Sequence, residues 1–175
     1  EPDFDQLISI TGLNTHDMYI SDTLFALQFS PDQKYLAVGA ATENNQEALN
    51  VYGFDSKIGQ LNLVESYRRF TTFNSSIKQV DWSPDGNYIL SMKITEQNPS
   101  FHFSTVSIFH FEKSNQTLSL TYEASQPPSF LLLAVKWSPD GRYILSAFEN
   151  GLLINVFDRI SQAPIENPLV QLNLP

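Results

Sequence analysis

The sequence predicts an all-β fold assembled from repeated four-stranded units, and three observations predict it. The first is a recurring turn. Phe29-Ser30-Pro31-Asp32-Gln33 returns 53 residues later as Trp82-Ser83-Pro84-Asp85-Gly86, and 55 residues after that as Trp137-Ser138-Pro139-Asp140-Gly141. The second is that short alternating apolar runs flank every copy, with Tyr35-Leu36-Ala37-Val38, Tyr88-Ile89-Leu90-Ser91 and Tyr143-Ile144-Leu145-Ser146 following the three turns. The third is that no stretch carries the 3.6-residue periodicity of an amphipathic helix. A period of this length is the signature of repeat architectures.

The chemistry of the turn is explicit. Proline pre-sets φ at the second position of a type I turn, aspartate suits the third, and glycine supplies the left-handed residue that closes the hairpin. Gln33 stands where the other two copies have glycine, so it is expected to be left-handed at a cost of roughly 1–2 kcal/mol. Asp32, Asp85 and Asp140 read as turn-forming carboxylates rather than as catalytic or metal groups.

Taken in order, residues 6–11 form a strand candidate stopped by Gly12 and Asn14. The first full unit, 23–67, has strands at 23–30, 35–41, 49–55 and 60–67, with a polar stretch at 42–47. The second, 76–124, has strands at 77–83, 88–94, 105–112 and 117–123, with a polar loop at 95–102. The third, 130–174, has strands at 131–138, 142–148, 152–158 and 169–174, and its Asn150-Gly151 pair is a strong hairpin signal. Strands so short and evenly spaced mean all-β. Three successive four-stranded antiparallel meanders mean the blades of a β-propeller rather than a sandwich, because the four-strand period itself repeats.

At this point the chain resembles the WD-repeat family of β-propellers. Residues 80–91, Val-Asp-Trp-Ser-Pro-Asp-Gly-Asn-Tyr-Ile-Leu-Ser, and their copy at 135–146 carry the resemblance. Phe54-Asp55, Phe111-Glu112 and Phe157-Asp158 stand where the family has its Trp-Asp pair. Blades of this length exceed the family's usual span of about 40–45 residues, and the Gly-His pair that opens a regular repeat is missing. Bacterial propeller lactonases and TolB-like periplasmic binding proteins share the Ser-Pro-Asp-Gly turn. The WD-repeat resemblance implies a non-enzymatic platform for protein partners; the other two imply a lactone hydrolase or a binding protein.

Composition narrows the function classes. The net charge is −9 with 10 basic residues, scattered apart from Arg68-Arg69, which speaks against nucleic acid and an anionic membrane surface. No apolar run of about 18 residues suggests a membrane helix. The chain has no cysteine, so disulfides and thiolate metal sites are excluded. Of the three histidines, His110 lies in an alternating strand and His16 and His102 are expected in loops. None has a partner at metal-ligand spacing, and no nucleophile elbow or phosphate-cradling loop is present. Catalytic residues, metal ligands and cofactors are therefore assigned to no position. Trp82, Trp137 and Phe29 share one repeat position and are expected to fill blade cores.

A propeller typically has about four to eight blades, so three make a partial ring. Its completion is expected from the remaining blades of a longer chain or, as the alternative, from a second copy, and the strand at 6–11 is assigned to a neighbouring blade. A partner is expected at the blade end opposite the Ser-Pro-Asp turns. That end gathers Arg68, Arg69, Phe70, Phe73, Phe101, His102, Pro127, Pro128 and Phe130, several of them types enriched in interface hot spots.

Overall fold

Alternation of apolar and polar residues around each Ser-Pro-Asp turn draws every repeat into an antiparallel meander. The computed structural model describes residues 23–41, 46–98, 101–126, 132–149, 151–165 and 170–173. The expected strand at 6–11, His16, Asn150, Pro127, Pro128 and Phe130 lie outside the described residues. The first sheet runs β1 (Thr23–Phe29), β2 (Tyr35–Ala41), β3 (Gln46–Asp55) and β4 (Gln60–Phe70), paired in that order. The second runs β5 (Asn74–Trp82), β6 (Tyr88–Asn98), β7 (Phe101–Glu112) and β8 (Thr117–Gln126). In the third, β9 (Leu132–Trp137), β10 (Tyr143–Phe148) and β11 (Gly151–Asp158) pair in sequence. Two short strands, β12 (Ala163–Pro164) and β13 (Val170–Asn173), then share the free edge of β11. The sequence reading had placed a single fourth strand there. These sheets are propeller blades, all antiparallel, and no helix occurs among the described residues.

The three turns repeat one bonding pattern. Ser30 Oγ donates to Asp32 Oδ1 at 2.6 Å and accepts from the Tyr35 amide at 3.0 Å, while Asp32 Oδ1 also accepts from the Lys34 amide at 3.2 Å. Ser83 with Asp85, and Ser138 with Asp140, do the same. Left-handed φ values of 59° at Gln33 and 68° at Gly86 and Gly141 close the turns, as their sequences require.

Blades stack face to face. Ala37, Leu49 and Val51 of the first blade meet Ile77, Val80, Trp82, Ile89, Phe109 and Phe111 of the second. On the other side, Tyr88, Leu90, Met92, Val106 and Ile108 of the second blade meet Leu132, Val135, Trp137, Ile144 and Phe157 of the third. Trp82 and Trp137 fill these inter-blade cores as expected. Phe29 does not. It is 43% exposed, because the first blade's outward face, with Leu36, Tyr52, Phe54 and Leu61, has no described blade against it. That face carries an apolar groove of about 600 Å³ between Leu27, Phe29, Leu36, Phe54, Ile58 and Leu61.

Candidate partner-binding face

The blade end away from the Ser-Pro-Asp turns is built differently from the sequence reading. Residues 95–98 and 101–102 lie in strands rather than in a loop. β6 continues to Asn98, β7 begins at Phe101, and His102 sits in a strand opposite Glu96. Residues 68–70 likewise belong to β4, with Arg69 opposite Glu47 and Phe70 opposite Gln46. Strands run on because side chains on both faces keep finding neighbours, so polar composition alone misjudged where pairing stops.

Strand alternation then divides the expected residues. Arg69 faces the second blade, and its guanidinium bonds Glu123 of that blade at 2.9 Å and Glu47 of its own at 3.0 Å. Lys93 Nζ lies 2.7 Å from Glu47 and 3.9 Å from Glu123, and both members of the Lys93–Glu47 pair are almost fully buried. Burying two charges is tolerated only when each is compensated, and four opposed charges meet that condition. The Glu123 bond holds the Arg69 pKa above its ordinary value despite partial burial. Burial raises that of Tyr67, whose ring meets Phe109 edge-on at 4.9 Å. Arg69 is thus a brace between two blades.

Phe70 points away from this network and is 77% exposed, and Phe101 is 39% exposed. Phe73 is half-buried in the link between β4 and β5, where its carbonyl accepts from Thr71 Oγ1 at 2.6 Å. Arg68 Nε donates to Ser66 Oγ at 3.2 Å, and Ser66 in turn donates to Asn50. Phe70, Phe73, Phe101, Arg68 and His102 are therefore carried at or beside strand ends on one side of the first two blades.

Sequence reasoning missed a cavity at this same end. It has a volume of about 200 Å³ and lies where the starts of β1 and β5 meet the ends of β2 and β6, between Phe25, Ala41, Asn74, Ser76, Lys78 and Glu96. Lys78 Nζ sits 3.3 Å from the centroid of the Phe25 ring. The signal in the sequence was a lysine inside each of two strand runs, Ile77-Lys78-Gln79 and Met92-Lys93-Ile94, since a strand-interior lysine needs a compensating neighbour. No group of three or more histidines, aspartates or glutamates able to hold a metal ion occurs among the described residues.

Two stretches, residues 65–91 and 117–154, match the WD domain, G-beta repeat. Each begins in the fourth strand of one blade and passes through the Ser-Pro-Asp turn of the next. The chain carries WD-type repeats within a β-propeller fold. Its solved structural neighbours are propellers too. Sqt1 of Saccharomyces cerevisiae aligns over 88% of this chain and 36% of its own, with a TM-score of 0.62 and 12% identity. The Cps50 (Swd1) β-propeller domain of Myceliophteria thermophila aligns over 93% and 47%, with a TM-score of 0.59 and 13% identity. A candidate 6-phosphogluconolactonase of Bacteroides fragilis aligns over 85% and 38%, with a TM-score of 0.58 and 19% identity. Identities this low speak to the fold alone, and the chain spans less than half the length of each of these neighbours. No curated protein matches the sequence.

Proposed function

We propose that the chain serves as part of a non-enzymatic WD-repeat platform that binds a protein partner on the blade end opposite the Ser-Pro-Asp turns. The observation that carries this reading is Phe70, which stands 77% exposed on a strand end where the preceding residue, Arg69, is locked into a four-charge brace. A large apolar group held on a rigid support is the kind of anchor that dominates interface energetics. Phe101, Phe73, Arg68 and His102 surround the same end and supply the rest of the surface. Pro127, Pro128 and Phe130, in the connection to the third blade, belong to the same proposal.

The lactonase-type and TolB-like alternatives need convergent chemistry around the innermost strands. β1, β5 and β9 carry no histidine and a single carboxylate, Asp81. That carboxylate is committed to structure, bonding the Trp137 amide at 2.7 Å and Lys136 Nζ at 2.9 Å. With a net charge of −9, a protein surface is a better partner than nucleic acid or an anionic membrane. Further blades complete the ring in this reading.

The test is a pull-down from native extract with the wild-type chain, a Phe70→Ser/Phe101→Ser variant, and a control substituted at the opposite end, Lys57→Glu. Circular dichroism first establishes that all three fold. Partners retained by wild type and control but lost by the double variant are the expected result. Partners kept by the double variant, or lost by the control alone, would overturn the assignment of the face.

A further inference from the structure

At the Ser-Pro-Asp end, the blades are tied together by a contact that repeats. Lys113, the residue after β7, passes over Gly86 in its own blade's turn. Its Nζ donates to the Asp85 carbonyl at 3.2 Å and lies 3.7 Å from Asp32 Oδ2 in the turn of the first blade. Arg159, the residue after β11, passes over Gly141 and reaches Asp85 Oδ2 of the second blade at 2.6 Å. Each cation therefore clasps the turn of the preceding blade.

The turn glycines make room for this clasp as well as closing the hairpin. A Cβ on Gly86 would lie 2.8 Å from Lys113 Nζ and 3.5 Å from Pro31 Cδ. One on Gly141 would lie 3.3 Å from Arg159 Nη2 and 3.4 Å from Pro84 Cδ. The first blade changes both partners together. Gln33 occupies the glycine position at φ 59°, and the residue after β3 is Ser56, exposed and uncharged. That blade therefore has no cation at the clasping position itself, the nearest, Lys57, standing one residue further on. At the other end of the arc, Asp140 presents the acceptor carboxylate, and among the described residues no cation from another blade reaches it. The adjoining face of the third blade shows half-buried Tyr143, Leu145 and Ile154, the positions through which Tyr88, Leu90 and Ile108 of the second blade receive the third.

We propose that this face of the third blade, with the turn at residues 138–141, docks a further blade that carries lysine or arginine directly after its third strand, and that a second copy of this chain, offering Ser56 there, is not that partner. The inference rests on the reading that further blades complete the ring, and continuity with the two junctions already formed argues for it. It goes further by stating the charge that the incoming blade must bring.

The test converts the first blade into a clasping one. In the full chain, Gln33→Gly/Ser56→Arg restores both missing features, so copies could join head to tail. Sedimentation velocity at low ionic strength should show self-association about fivefold or more tighter than wild type. The gain should vanish at high salt and on adding Asp140→Asn. Should the double variant fold poorly by circular dichroism, Ser56→Arg alone, at an exposed position, takes its place. Wild type associating as tightly as the variant, or a gain that survives Asp140→Asn, would overturn the charge requirement. Absence of association in every variant would overturn ring completion through this face, and the proposal with it.

Discussion

Trp82 and Phe29 occupy the same repeat position and meet different fates. Trp82 is buried between blades, edge-on to Phe111 at 5.7 Å, and its Nε1 donates to the Gln28 carbonyl at 3.0 Å. Phe29 faces outward, with its ring 5.2 Å from that of Phe54 in its own blade. Trp82→Ala should destabilise by about 3–5 kcal/mol, the usual cost of an aromatic deletion from a packed core. Phe29→Ala should cost about 1 kcal/mol, since a partly exposed ring surrenders less buried area. Denaturant melts of the two variants measure the difference directly. Equal losses would mean that the outward face of the first blade is covered in solution.

At the scale of the strands, the two junctions between blades use different polar ties. Between the first and second blades the buried Glu47–Lys93 pair works with Arg69 and Glu123. Between the second and third, Gln79 on β5 behaves like a piece of backbone. Its Nε2 donates to the Val135 carbonyl at 2.9 Å and its Oε1 accepts from the Val135 amide at 3.0 Å. The residue at the matching position of β1 is Ala26, so the first junction lacks this tie. Gln79→Ala leaves the Val135 amide and carbonyl without those partners and should cost about 1–3 kcal/mol. Hydrogen exchange at the Val135 amide should accelerate while the first junction, followed at Leu49, keeps its protection. A uniform acceleration would show that the blades open as one unit rather than junction by junction.

Across the whole molecule, the turn end gathers aspartates that are more acidic than free ones. Burial works against ionisation of Asp85, but bonds from Ser83, Arg159 and the Asn87 amide outweigh it and hold the pKa below its ordinary 3.8. The Ser138 hydroxyl and the Arg142 amide do the same for Asp140, and the Ile160 amide and Ser161 hydroxyl for Asp158. A carboxyl with a lower pKa folded than unfolded adds stability above its unfolded value, and that contribution is lost as pH falls through the folded value. Stability should therefore hold level above about pH 5 and decline below about pH 4, read as the denaturant midpoint against pH. Asp85→Asn should flatten the decline. A midpoint unchanged down to pH 3 would show that these bonds persist in the unfolded chain.

Ser-Pro-Asp turns, alternating runs and their period made the blades legible in the sequence, because each is a local device that acts within a few residues. Even the left-handed Gln33 followed from its place in the turn. Strand lengths at the far end were not legible. Residues 68–70 look like a polar link, yet Arg69 is drawn into the sheet by acids 22 or more residues away in the chain, Glu47 and Glu123. Which aromatics are covered was equally hidden. Phe29 and Trp82 carry the same local pattern, and only the stacking of one blade on the next decides which of them is buried. The repeat thus determined the blade, whose contacts lie close in sequence. The tertiary structure decided what the ends of the blades do, because there the deciding contacts, such as Arg69 with Glu123 and Lys93 with Glu47, join one blade to another.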